Sequence, residues 1–357
     1  MVEANPLLDL TDPSIGQVRS MVRFDVVNEL GNAIGRLKPL QAGNVQANTS
    51  GNIKRTLDSI LVFNADLEDV DIYRDRLAPY WVLEDGTEWP LGKYVFTGAQ
   101  VRPGTYATTT ELQLYDQDFV LDQNTKETTS VSPGTLVTTA LNTVADQALI
   151  IDRSIETNIT AVKDPINWPA GTSRKTIMQD LCKLAGLYPP YFNNVGRMIV
   201  ESPPNLDETL PDHVYAPENS RILRATIVEN DNLLTAPNVH LVVASGPTSG
   251  EIVAYSQVNP ALPWSSARRG FEIVEVHRQQ GVADTKQAEE MARNFAQVTA
   301  DGYLIVEFDA FPDPRHDLFQ VVEWAGSNYR ETSWTLPLTP GGPHKHTLTR
   351  AGFTDAG

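Results

Sequence analysis

The sequence predicts an α+β protein that is mainly β. It has two antiparallel β-barrel or sandwich segments, a small α+β insertion between them, and one helix inserted in the C-terminal unit. Three observations predict this. The first ~115 residues hold about six short alternating segments, with turn signals at short spacing. Near residue 132 the period changes, and two stretches with apolar residues three and four apart follow. Residues 271–336 then run strand, helix, strand, hairpin, with too little helix for a repeating βαβ fold.

In chain order, residues 1–14, with Pro6 and Pro13, form an arm. Residues 17–27 alternate through Val18, Phe24 and Val26 as a strand, and 28–35 are a turn region. The polar stretch 45–53 is either an exposed hairpin or a mobile loop. Residues 55–63 are a strand. The strongest hairpin of the first half pairs 72–83 with 93–97 around Asp85-Gly86, and 111–115 adds a short strand. The Thr- and Ser-rich stretch 124–131 is a connection. A helix then starts at a Ser132 cap with Pro133 in its first position, and carries Leu136, Val137, Ala140, Leu141, Val144 and Ala148 on one face. A second helix runs from 172 or 173 to 185, lined by Ile177, Met178, Leu181, Leu184 and Ala185 and ended by Gly186. Residues 187–192 and 196–201 make a hairpin.

The proline-rich stretch 202–216 reads as a linker. Residues 221–229 and 239–244 are strands, 245–250 a tight turn, 251–255 a returning strand and 259–266 a loop. Residues 271–278 alternate as a strand before the clearest helix, 284–299. Asp284 caps that helix, Gln287 can reach back, and Ala288, Met291, Ala292, Phe295 and Thr299 form its apolar stripe. Asp301-Gly302 stops it. Residues 303–308 return as a strand, and 319–324 with 329–336 form a hairpin around 325–328. The predicted division is an arm at 1–14 and a first β-barrel domain at 15–127, open to completion by strands from 205–235. An α+β insertion at 128–204 follows, then a second β-barrel domain at 205–357 containing helix 284–299.

Composition narrows function. A formal net charge of −17 leaves no basic footprint for gripping nucleic acid. It suits a surface past which a phosphate backbone slides without sticking. The single cysteine, Cys182, rules out an intrachain disulfide, and its apolar helix stripe makes it a core residue. No run of about 18 apolar residues is present, and the acidic N-terminus is unlike a signal peptide, so synthesis in a cytoplasm without membrane insertion is expected.

No nucleophile elbow, phosphate loop, dinucleotide fingerprint or HExxH motif occurs. The acids Asp66, Glu68, Asp69, Asp71 and Asp75 could bind calcium, but they lack the glycine and closing glutamate of an EF-hand and read as a solvated strand face. Acids are too common to nominate a glycosidase pair. His344 and His346 are two apart, so on a strand both imidazoles face one side; in a trimer three such pairs on the axis would supply six nitrogens. The plainer reading is an exposed strand end after Pro340-Gly341-Gly342-Pro343. Tyr188, Tyr191, Phe192, Trp264, Trp324 and Trp334 could stack on a sugar, though core or interface packing is commoner. No catalytic residue, cofactor or metal ligand is therefore assigned.

Three stretches together resemble the tail-hub (minor tail or baseplate hub) proteins of long-tailed bacteriophages. They are 57–97 with its WVLEDGTEWPLGKYVFTG hairpin, TIMQDLCKLAGLYPPYFNNVGRMIVES, and the ending with helix 286–298, LFQVVEW and YRETSWTLPLTPGGPHKHTLTR. The resemblance covers about 18–350 and lies in the order of elements, since no single motif is diagnostic. It implies two tail-tube-like barrels per chain and a homotrimer whose six barrels adapt a sixfold tube to a threefold tip. It also implies a distal tail protein above, a tape measure protein within, fibre or spike proteins below, and genomic DNA only in passage. No appended lysozyme or needle domain is expected. The virion tail tip is the implied location, after synthesis in the host cytoplasm. A carbohydrate-binding or carbohydrate-cleaving tail protein is the alternative, and a contractile-injection hub a third.

Overall fold

The computed structural model describes residues 20–29, 31–206, 208–216, 222–229, 234–246, 250–279, 282, 284–300, 304–339 and 342–350. The expected arm at 1–14, the helix stop at Asp301-Gly302, the tip of the 245–250 turn and Pro340-Gly341 lie outside these residues.

The first stretch holds β1 (Ser20–Val27), β2 (Ala33–Leu37), β3 (Asn44–Asn48), β4 (Arg55–Phe63), β5 (Arg76–Leu83), β6 (Glu88–Pro90), β7 (Tyr94–Arg102) and β8 (Thr109–Asp116). The middle holds α1 (Asp118–Leu121), β9 (Thr129–Val131), α2 (Val137–Gln147), β10 (Arg153–Ile155), β11 (Ile166–Trp168), α3 (Arg174–Ala185), β12 (Tyr191–Phe192) and β13 (Met198–Val200). The last stretch holds β14 (His213–Tyr215), β15 (Ile222–Glu229), β16 (Val239–Gly246), β17 (Gly250–Gln257), α4 (Ser266–Arg269), β18 (Val274–Gln279), α5 (Thr285–Ala300), β19 (Leu304–Ala310), β20 (Val321–Trp324), β21 (Ser327–Pro337) and β22 (His344–Arg350). The fold is mainly β with large antiparallel sheets, as predicted. Among the described residues no helix is long and apolar enough to cross a membrane.

One large sheet runs β15-β19-β22-β21-β3-β4-β8-β7-β5-β1-β2, with β14, β20 and β6 attached to its side. This path has two free ends, so among the described residues there is no closed barrel, and the barrel form of the prediction is corrected to an open sheet. The first and last thirds of the chain meet where β21 pairs with β3. Residues 44–48, expected as an exposed hairpin or mobile loop, supply that strand. Val45 and Ala47 are fully buried while their neighbours are not, the period of a half-buried strand.

Several expected boundaries moved, each for a physical reason. α2 starts at Val137 rather than at a Ser132 cap, because Gly134 sits at φ +84° in a turn that a helix cannot continue through. Leu136 is left 43% exposed ahead of the helix. The Asp85-Gly86 turn joins β5 to β6, with Trp81 opposite Trp89, and β7 pairs farther down β5. The stretch 124–131 is more than a connection, since β9 pairs with β11. The linker 202–216 likewise contains β14, which runs parallel to β20. The largest correction concerns the closing unit. β18 lies parallel to β16 in a separate sheet, β17-β16-β18, so α5 crosses from one sheet to another. It is not inserted between neighbours of one antiparallel sheet.

Other signals held. Ser173 caps α3 by accepting from Thr176 N–H, and Gly186 ends it at φ +69°. Asp284 caps α5 by accepting from Gln287 N–H at 2.8 Å. Gln287 Nε2 itself donates to Leu184 O. β12 and β13 pair as the expected hairpin. The insertion helices share a hydrophobic core with Val242, Ala244, Ile252 and Ala254 of the small sheet and Ala288, Met291 and Ala292 of α5. Cys182 lies in that core.

Candidate functional site

β21 and β22 place a run of ionisable side chains inside the molecule. In β22 the residues His344, His346 and Leu348 are buried while Lys345 is exposed. The alternation expected for His344 and His346 is therefore present, but the pair faces inward and is no exposed strand end. Both imidazoles are sealed within one chain, which also removes the idea that copies of this pair meet on a trimer axis. On β21, a register shift between Glu331 and Ser333 moves the buried positions from Tyr329 and Glu331 to Trp334 and Leu336. That leaves Glu331 facing the histidines.

Two further segments close the cluster. The 311–320 loop brings Asp313 and His316, and β14 brings His213 and Tyr215. Glu331 bridges two imidazoles, with Oε2 2.7 Å from His316 Nδ1 and Oε1 2.6 Å from His346 Nδ1. Tyr215 Oη lies 2.8 Å from His316 Nε2. The Asp313 backbone N–H donates to His344 Nδ1 at 3.3 Å. The His213 ring stacks on His316 at 3.8 Å, and His213 Nε2 meets Gln320 Oε1 at 3.1 Å. These partners assign the tautomers. With Glu331 ionised, His316 and His346 both donate from Nδ1, and His316 Nε2 accepts the Tyr215 hydroxyl proton. His344, accepting at Nδ1, carries its proton on Nε2. The Nε2 atoms of His344 and His346 are buried without a hydrogen-bond partner.

Burial governs the charges. It pushes His316, His344 and His346 well below the ordinary imidazole range, and neighbouring imidazoles push the same way. Burial raises Glu331 against the opposing pull of His346. Asp313 resists burial: the Arg315 guanidinium, on both of its oxygens at 2.8 and 2.6 Å, holds it below the usual carboxylate range. The result is three neutral imidazoles, His316, His344 and His346, around one carboxyl bridge. Its Glu331 contacts are at proton-sharing distance, too close for an ion to sit between the atoms. Glu331, His316, His344 and His346 are buried, while His213 and Arg315 at the edge of the cluster are half-buried.

A second polar knot fastens the three parts of the chain together. Arg55, fully buried on β4, donates to Asp317 of the 311–320 loop and to Asn194 of the insertion hairpin. Asn194 N–H donates back to Asp317 at 2.9 Å. Nearby, Asp118 accepts from Lys175 Nζ at 3.0 Å, and Lys54 Nζ donates to Pro190 O at 3.0 Å. Phe319, at φ +61°, packs on Tyr188 and Tyr191 beside this knot.

The other sequence candidates separate clearly. Tyr188, Tyr191, Phe192, Trp264, Trp324 and Trp334 are all buried, so these aromatics are core and are not presented to a sugar. The acids from 66 to 75 lie in a short 3-10 helix (Asn64–Leu67) and turns rather than on a strand. Asp66, Glu68, Asp69 and Asp71 are exposed, while Asp75 is buried and accepts from Asp71 N–H. Sequence reasoning missed His213, Asp313, His316 and Glu331, because they come from three segments, β14, the 311–320 loop and β21, with no common spacing. One local signal was available: Leu348 shares the face of His344 and His346, which marks that face as inward.

No protein-family model matches the sequence, and no curated protein is similar to it. Solved structures are similar over nearly its whole length. The tail protein from Neisseria meningitidis MC58 aligns with a TM-score of 0.63 at 13% identity, covering 93% of this chain and 97% of that one. The 43 kDa tail protein of prophage MuSo2 from Shewanella oneidensis aligns with a TM-score of 0.64 at 10% identity, covering 93% and 99%. The prophage tail protein gp18 from Listeria monocytogenes EGD-e aligns with a TM-score of 0.55 at 9% identity, covering 93% and 95%. At these identities the likeness shows the fold, and the fold is that of phage tail proteins, as the tail-hub resemblance implied.

Proposed function

We propose that this chain is a structural protein of a phage-type tail and acts as its tip hub. The observation that carries the reading is end-to-end similarity: the fold accounts for 93% of this chain and for 97–99% of two tail proteins. In this reading three copies form a ring that adapts a sixfold tube to a threefold tip. The arm at 1–14, the β domains at 15–127 and 205–357 and the insertion at 128–204 are the parts of each copy. A distal tail protein, a tape measure protein and tip fibre or spike proteins are its neighbours, and DNA passes through without being bound. A net charge of −17 suits that passage, because an acidic lumen repels a phosphate backbone. The chain has no catalytic role of its own: its two densest polar clusters are buried and serve packing.

Light scattering on the purified chain, followed by negative-stain imaging, tests the reading. A species near three times 39.4 kDa with a ring and a central hole is expected. A chain that stays monomeric at high concentration, forms no ring with its tail neighbours and binds host polysaccharide overturns it.

A further inference from the structure

We propose that His240, Glu275 and His277 form a binding site for one zinc-class divalent transition-metal ion. The site lies on the small sheet, away from the sealed cluster, and the proposal does not depend on the tail reading.

The geometry starts with register. β16 and β18 are parallel neighbours in which His240 stands opposite Glu275 and Val242 opposite His277. Side chains at a paired position share a face, and Glu275 and His277 are two apart, so all three project from the same face of the sheet. The separations match an ion. His240 Nδ1 lies 3.2 Å from His277 Nε2. Glu275 Oε2 lies 3.5 Å from His240 Nδ1 and 3.8 Å from His277 Nε2. A tetrahedral zinc bound at about 2.0–2.1 Å sets its ligand atoms about 3.3–3.4 Å apart. The three edges bracket that value, unlike the contacts of 2.6 and 2.7 Å that Glu331 makes in the sealed cluster.

The surroundings agree. The His240 side chain is 1% exposed, His277 15% and Glu275 50%. Two ligands are therefore held and the third opens the route to solvent, which is the arrangement of a site with an entry path and one free coordination position. Phe295 of α5 stacks flat on His277 at 3.7 Å and fixes the ring. His240 Nε2 is buried without a partner, so the polar stabilisation of this imidazole comes through Nδ1, the atom aimed at the other two ligands. Burial lowers both imidazoles below their ordinary range, which presents them as neutral donors. Two imidazole nitrogens and one carboxylate oxygen suit zinc, cobalt or nickel better than calcium or magnesium, which prefer oxygen.

The test uses the full chain, freed of any tag and stripped with chelator. Zinc is titrated calorimetrically, cobalt by its visible spectrum, and the melting temperature is read with and without zinc. One ion per chain, the intense bands of tetrahedral cobalt and a raised melting temperature are expected. Glu275→Gln, on the half-exposed ligand, should fold normally and lose affinity by about ten-fold or more, and His277→Gln should abolish the cobalt bands. Two outcomes overturn the proposal. One is a wild-type chain that binds no zinc, so that His240 and His277 share only a hydrogen bond. The other is zinc binding that Glu275→Gln and His277→Gln leave unchanged, which would put the ion elsewhere.

Discussion

The chain has six histidines, and all of them fall into two clusters that use the same side chains in opposite ways. In the sealed cluster, Glu331 lies at hydrogen-bond distance from His316 and His346, with His344 beside His346 and His213 stacked on His316. On the small sheet, His240 and His277 meet Glu275 at wider spacing and with one edge in solvent. The contrast teaches that an imidazole–carboxylate group has no fixed role. About an ångström of separation and access to water decide whether protons are shared inside a core or a cation is offered a place.

The largest difference expected is between the two glutamates. Glu331→Ala leaves two buried imidazole N–H groups without their acceptor and should cost about 3–5 kcal/mol in urea unfolding. Glu275→Ala in metal-free protein should stay within about 0.5 kcal/mol, as an exposed substitution does. Equal costs would erase the distinction between the clusters.

Acid should act on the sealed cluster next. His316, His344 and His346 have folded values below the unfolded ~6.5. The unfolded chain therefore takes up more protons as the pH falls. Their contribution is complete above about 6.5 and is lost below it, at about 1.4 kcal/mol per pH unit for each imidazole. The raised Glu331 works in the opposite sense from about 4.5 upward and offsets part of this. Denaturant midpoints between pH 7.5 and 5.5 should fall steeply, and a flat profile would show that the imidazoles are not held neutral.

A smaller effect than that of Glu331→Ala sharpens the tautomer assignment. Tyr215→Phe removes the hydroxyl facing His316 Nε2 and should cost about 1–2 kcal/mol. It should not change zinc affinity at Glu275. A stabilising Tyr215→Phe would show that this hydrogen bond is not made in the folded protein.

Local signals made much of the fold legible. Ser173 with Gly186 bounds α3 and Asp284 opens α5, because a cap is written within four residues of the end it satisfies. β3 was illegible for the opposite reason. Asn44–Asn48 has only Val45 and Ala47 to mark an inner face, and its second partner is far away in sequence. The strand character of 271–278 was readable, but its pairing with β16 joins separate stretches of the chain, which no local pattern encodes. At the site, the HxH alternation was readable and its direction was not. The sealed cluster gathers loop, strand and bulge residues, so only the assembled fold brings them together.

The pairing of β3 with β21 has a consequence for the newly made chain. Thr49 donates from both its backbone N–H and its hydroxyl to Thr332 O although 283 residues separate them. At roughly 5–20 residues per second, the ribosome exposes one edge of β3 for some 15–60 seconds before its second partner exists. During synthesis that edge is open to any other strand, including one from a neighbouring copy. Completion of the large sheet is therefore a late, long-range step, and synthesis speed and crowding among nascent chains should bear on yield more than they do for proteins whose strands pair as they emerge.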